Sequence, residues 1–266
     1  LEYHGRFAEP RANLGVVMLR RGDLAQAEQH LRAAVQLNPE FDEAWSNLGV
    51  VLVGQGELDA AVDAFERALA LDPGLVDARR NLADLWMRTG RWREARAQLY
   101  RLVQLVRAEA PVGRRSRALL AYCELRLERP SAARVLAEEI LARHAEDPVA
   151  RTVRGALHVQ AGRSHSALQD LAAAEHDPVV GFDARVRLAS VRLSMGDLLV
   201  SARRIRALLA EAPDHDAVRL LAAWQAAGES RWSDAVRHAR AVLERADVPA
   251  GRRVLALACS EASLCE

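Results

Sequence analysis

Glycine returns along this chain at a fixed interval. Gly22, Gly56 and Gly90 stand 34 residues apart, Glu128 follows 38 further on, and Gly162, Gly196 and Ser230 resume the interval of 34. A four-residue insertion, Ala110–Gly113, accounts for the longer step. With it, seven units tile residues 8–249 without remainder: 8–41, 42–75, 76–109, 114–147, 148–181, 182–215 and 216–249. A chain that repeats itself at this length is a stack, in which each unit hides its apolar side against its neighbours.

Within a unit the positions divide by size. The eighth place is always small: Gly15, Gly49, Ala83, Ala121, Gly155, Ala189 and Ala223. The twentieth is small as well, from Ala27 and Ala61 to Ser201 and Ala235. The twenty-fourth is mostly bulky, with Leu31, Phe65, Leu99, Leu171 and Ile205, but Ala137 and Ala239. Two amphipathic runs of about 13 residues flank each corner, and several units end near a proline, such as Pro39, Pro73, Pro213 and Pro249. Each unit therefore reads as a helical hairpin. Its small residues let two backbones approach closer than the usual 8–10 Å, and its large ones fill the remaining space.

Trp45, Leu48, Gly49, Leu52, Gly56, Ala61, Phe65, Ala68 and Pro73 resemble the signature of the tetratricopeptide repeat, in place and in spacing. The resemblance extends over essentially the whole chain. It is weakest in the fourth unit, where Glu128 stands at the corner, Pro130 in the next helix and Ala137 at a bulky place. A distorted corner is expected there. The fold implied is all-α, a right-handed superhelical solenoid of seven hairpins. Residues 1–7 read as the tail of a preceding repeat, and residues 250–266 as a partial repeat or capping helix, with an apolar strip exposed at one terminus.

In that family the first helices line a concave groove that holds a partner's peptide or helix. The sixth place reaches this surface and reads Asn13, Asn47 and Asn81 in the first three units. A carboxamide both donates and accepts, so a row of them suits a peptide backbone whatever its side chains. The row is similar to that in the repeat arm of O-GlcNAc transferases. The other reading has each Asn bonded to an adjacent repeat or solvated. A two-carboxylate clamp is rejected, since Ala12, Val16 and Asp77 occupy places that need other residues.

Charge is uneven along the chain. Residues 8–75 hold 11 acids and 5 arginines, whereas residues 76–117 hold 4 acids and 11 arginines. Arg80 and Arg88 are expected at the groove, where bidentate pairing would receive an acidic segment. The ninth place puts Asp84, Tyr122 and Trp224 on the same face, the aromatics as candidate anchors or as fillers between repeats. Trp45, Trp86, Trp92 and Trp232 fall at packing places.

Other classes find little support. The net charge of +1 argues against a dedicated nucleic-acid binder. There is no phosphate loop, no HExxH and no nucleophile elbow, so no catalytic residue, metal site or cofactor is expected. Cys123, Cys259 and Cys265 form no CxxC. The last two point about 120° apart if one helix carries both, so all three read as thiols without a disulfide. No apolar run reaches the ~18 residues of a membrane span. The first residue is Leu rather than Met, so the chain is expected to be trimmed, with room upstream for a leader or lipid anchor.

Every basic side chain among the 37 is Arg, a coding bias that points to a bacterium. The expectation is a non-enzymatic scaffold that binds protein or peptide partners within a bacterial complex such as pilus, motility or envelope machinery. Bacterial tetratricopeptide lipoproteins are the nearest kind. The compartment would be cytoplasmic or periplasmic, with outer-membrane association if a lipidated leader has been lost. The competing expectation is the substrate-recognition arm of a larger glycosyltransferase.

Overall fold

Seven corners of one backbone shape divide the chain into hairpins. A computed structural model describes residues 7–245 and 248–262. Five of the corners are glycines with φ between 69° and 84°; Glu128 and Ser230 take the same left-handed region at 58°. After each corner an N–H donates to a carbonyl five residues back, at 2.8–3.0 Å: Asp23 to Met18, Glu57 to Leu52, Arg91 to Trp86, Arg129 to Glu124, Arg163 to His158, Asp197 to Arg192, Arg231 to Ala226. This is the Schellman closure of a helix end. The fourth corner is therefore not distorted, contrary to expectation. Glu128 adopts the glycine conformation, and Pro130 opens the next helix at its first position, where a missing N–H costs nothing.

An L residue held left-handed costs about 1–2 kcal/mol, part of which glycine gives back as unfolded-state entropy. Glu128→Gly and Ser230→Gly should each stabilise the protein by about 1 kcal/mol. Denaturant titration checks this, and a loss of stability would reveal a side-chain role at the corner.

The helices pair across these corners. They are α1 (Ala8–Arg20) with α2 (Leu24–Leu37), α3 (Asp42–Gln55) with α4 (Leu58–Leu71), and α5 (Val76–Arg88) with α6 (Trp92–Leu105). Next come α7 (Pro111–Arg126), α8 (Pro130–Arg143), α9 (Pro148–Gln160) with α10 (Ser164–Ala172), and α11 (Gly181–Ser194) with α12 (Leu198–Glu211). Last are α13 (Asp216–Gly228) with α14 (Trp232–Leu243), then α15 (Pro249–Ala262). No strand occurs among the described residues. The helices form two compact units, one through Leu136 and one from Ala137, each a stack of hairpins in the manner of a helical solenoid.

The size pattern has the physical cause assigned to it. All seven residues at the twentieth place are 0% exposed. A Cβ on Gly49 would lie 2.6 Å from the Phe65 ring, and one on Gly15 2.6 Å from Leu31 Cγ. Glycine there makes room for the large residue of the second helix.

The insertion is not a loop. It starts α7 early, making it 16 residues long where most other first helices have 13 or 14. Gly113 lets this added turn press on the carbonyl of Arg107.

At the start of the first unit, Leu14 and Val17 are 45% and 43% exposed, whereas their counterparts Leu48 and Val51 in the second hairpin are 2% and 0%. With Phe7 they make the expected apolar strip. In the second unit α15 seats Val254 and Ala258 in an alanine-rich core with Ala223, Ala226, Ala235 and Ala239.

Cys123 is a buried free thiol, its pKa pushed up to about 12 chiefly by burial. Cys259 is disulfide-bonded, which corrects the expectation for it. Cys265 lies outside the described residues.

Candidate partner-binding face

Asn13, Asn47 and Asn81 stand at one register position of α1, α3 and α5, the first helices of three consecutive hairpins, and these helices touch in sequence. Asn13 is exposed, and the other two are half-buried. None of the three carboxamides makes a hydrogen bond to the protein among the described residues. Of the alternative reading, the bonds to adjacent repeats are thus not formed, and solvation of the three amides is the part that stands.

Beside the amides run Val16, Val50 and Asp84, all half-buried. Asp84 breaks the apolar row. Burial pushes its carboxyl above the usual range, opposed by the charges of Arg80, Arg115 and Arg88. It forms no hydrogen bond or ion pair among the described residues. Because its folded-state pKa is raised, the native protein binds this proton more tightly than the unfolded chain. The associated stability is complete below the ordinary carboxylate pKa and is lost as pH rises through the raised value. Asp84→Val should therefore stabilise the fold by roughly 1 kcal/mol at neutral pH and less in acid, read from melting curves at both.

The basic stretch proves partly structural. Arg79 is buried, bonding Gln98 and the carbonyl of Pro73, and Arg96 bonds the buried Glu124. Arg80 pairs at 2.9 Å with the exposed Asp77. Arg88 is exposed with no ion pair among the described residues. Arg80, Arg88 and Arg115 remain as the cationic group around Asp84.

Two expected anchors lie elsewhere. Tyr122 is 3% exposed and meets Trp92 edge-on at 5.9 Å, with Arg126 over the Trp92 ring. It is a filler between hairpins, not an anchor, because Ala118–Leu125 of α7 are all buried and that face is closed. Trp224 belongs to the second unit, where it packs half-buried on the alanine-rich core.

A recurrent bond escaped the sequence reading. At the fourth place, Trp45 donates its indole N–H to the carbonyl of Pro39 at 3.0 Å, six residues back. Arg79, Arg151 and Arg219 do the same with guanidinium groups, to Pro73, Ala145 and Pro213. Place four carries a donor, whether ring or fork. The sign was present at that one position, which is Arg in six units and Trp in the other.

No group of three or more His, Cys, Asp or Glu that could hold a metal occurs among the described residues. Nor, among them, is any helix long and apolar enough to cross a membrane.

Two family models, both described as tetratricopeptide repeat, match residues 13–76 and 52–114. Among curated proteins none matches significantly. Of solved structures, a tetratricopeptide repeat protein from Parabacteroides merdae is 18% identical, with a TM-score of 0.69 over 95% of this chain and 99% of that one. The Cut9–Hcn1 hetero-tetramer of the APC/C gives 0.70 at 13% identity, over 89% of this chain and 48% of that one. Pseudomonas aeruginosa pilF gives 0.61 at 20%, over 81% and 96%. At these identities the likeness is one of fold. Residues 13–114 thus match tetratricopeptide repeats, and the seven Schellman corners, with small residues facing large ones across most hairpins, give the described chain the helical-solenoid fold of these structures.

Proposed function

We propose that the protein is a non-catalytic scaffold that holds an extended segment of a partner protein along α1, α3 and α5. The observation that carries this is the row of three carboxamides with no bond to the protein. Left idle, a half-buried amide forgoes about 1 kcal/mol per hydrogen bond; against a peptide backbone it recovers it. The partner's segment runs on to Arg80, Arg88 and Arg115, which favour an acidic stretch there. The all-arginine composition supports a bacterial setting, and assembly of an envelope or motility machine is the role we assign. The same row would serve the arm of a larger glycosyltransferase, and a transferase domain elsewhere in the gene would favour that reading.

Peptides selected on the intact protein from a displayed random library supply the probe. Changing Asn13, Asn47 and Asn81 to Ala together should weaken the selected peptides about 10–100-fold, with melting temperature unchanged. Equal affinity for the triple variant would refute the amide row while leaving the fold untouched.

A further inference from the structure

The second unit contains a cleft of about 330 Å³ among α12, α13 and α14. Its apolar lining includes Ile205, Leu209 and Ala226, and its polar lining is Arg206, Gln225, Glu229, Arg231 and His238. The first unit has a matching cleft, offset by 140 residues, of about 350 Å³. There, the position of Ala226 is held by Trp86 and that of Arg231 by Arg91.

The two sites share an arginine frame, but they differ in more than the indole. Gln225 and Glu229 stand where the first unit has Leu85 and Thr89, and Glu229 accepts from the Arg231 guanidinium at 2.5 and 2.9 Å. Arg91 N–H donates to the Trp86 carbonyl and Arg231 N–H to the Ala226 carbonyl, both at 2.8 Å. Glu94 holds the Arg91 guanidinium, and Asp234, at the same place, holds that of Arg231. In the first unit the guanidinium carbon lies 3.8 Å from the centroid of the buried Trp86 ring. The cleft there ends at this indole. The counterparts of Ile205, Arg206, Leu209 and His238 (Phe65, Glu66, Leu69 and Gln98) do not line it. In the second unit, where alanine replaces the indole, the space reaches inward to all four.

We infer that the cleft of the second unit receives an aromatic side chain from a partner protein, stacked on Arg231, with an acidic neighbour paired to Arg206. The first unit shows what this arginine does when a ring is present. Stacking of this kind is worth about 0.5–2 kcal/mol, more as water is excluded. Arg206 is exposed and makes no hydrogen bond or ion pair among the described residues. Glu229, whose carboxyl feels its charge, is itself held by Arg231 and Gln225, so Arg206 keeps its donors for a second carboxylate. Burial, reinforced by Arg237 and Arg219 and opposed by Asp234, lowers the His238 pKa and disfavours its charged form, so the cations of the cleft are Arg206 and Arg231. This site shares no residue with the amide row and stands without it.

N-acetyl-tryptophan, an indole with a carboxylate, is the probe, and N-acetyl-alanine its control. Titrated into the full chain and followed by the His238 NMR signals, it should saturate with a Kd of about 1 mM. Arg206→Ala, a change of an exposed residue, should weaken it about fivefold. Ala226→Trp should supply the ring internally and abolish binding while the helical circular dichroism persists. Failure to saturate by about 20 mM, equal binding of N-acetyl-alanine, or undiminished binding to Arg206→Ala would each overturn the assignment. Should Ala226→Trp not fold, the Arg206→Ala and control titrations still decide it.

Discussion

Gly113→Ala should destabilise the protein by about 3 kcal/mol or more, since a methyl group there meets fixed backbone. Its Cβ would lie 2.0 Å from the carbonyl oxygen of Arg107 and 2.9 Å from the carbonyl carbon. That oxygen cannot swing aside freely, because it accepts the N–H of Ala110, the residue that caps α7. The clash therefore strains both the start of α7 and the turn before it. For a chain of this size the melting temperature should fall roughly 5–10 °C. Gly56→Ala is the control. It sits at φ 84° with nothing within 4 Å, so only the conformational cost of about 1 kcal/mol applies. Equal losses at the two positions would mean that α7 can shift outward, and would remove the close contact as the reason for glycine at 113.

Arg96→Leu is the second large change, expected to cost about 3 kcal/mol by stranding a buried carboxylate. Glu124 is 5% exposed on α7, its Oε1 bonded to Arg96, with Arg129 3.7 Å from the other oxygen. The same place holds Leu52 in the second hairpin, so an apolar side chain fits this environment. Adding Glu124→Leu to Arg96→Leu should restore most of the lost stability, and a double-mutant cycle by denaturant titration isolates the coupling. A double variant as unstable as Arg96→Leu alone would show that the arginine acts through its packing stem and not its charge.

The repeat made much of the architecture readable, because each packing rule is written seven times. Gly49 against Phe65 and Gly56 at its corner announce themselves through their copies, and Glu128 and Ser230 follow the glycines' conformation although their side chains resist it. What occurs once was harder to read. Tyr122 lies at a place that is half-buried in the first three hairpins, but in α7 residues 118–125 are buried on every side. Glu124 and Asp170 look like solvated acids by residue type, yet both are buried, and Asp170 forms a two-pronged pair with Arg154 at 2.6 and 2.7 Å. The amide row was visible as a spacing; its lack of internal bonds required coordinates. Asp84 was singled out by its place, whereas its burial without a partner appears only in three dimensions.

The donor at the fourth place bends the chain back upon itself over six residues and needs nothing from any other hairpin. The joints before the second, third, fifth and seventh hairpins are thus each shaped by their own short run of sequence. An irregularity such as the added turn of α7 stays where it arises, and hairpins further along resume the same form. A chain built on such self-contained joints can lengthen, shorten or diverge one module at a time without renegotiating the rest.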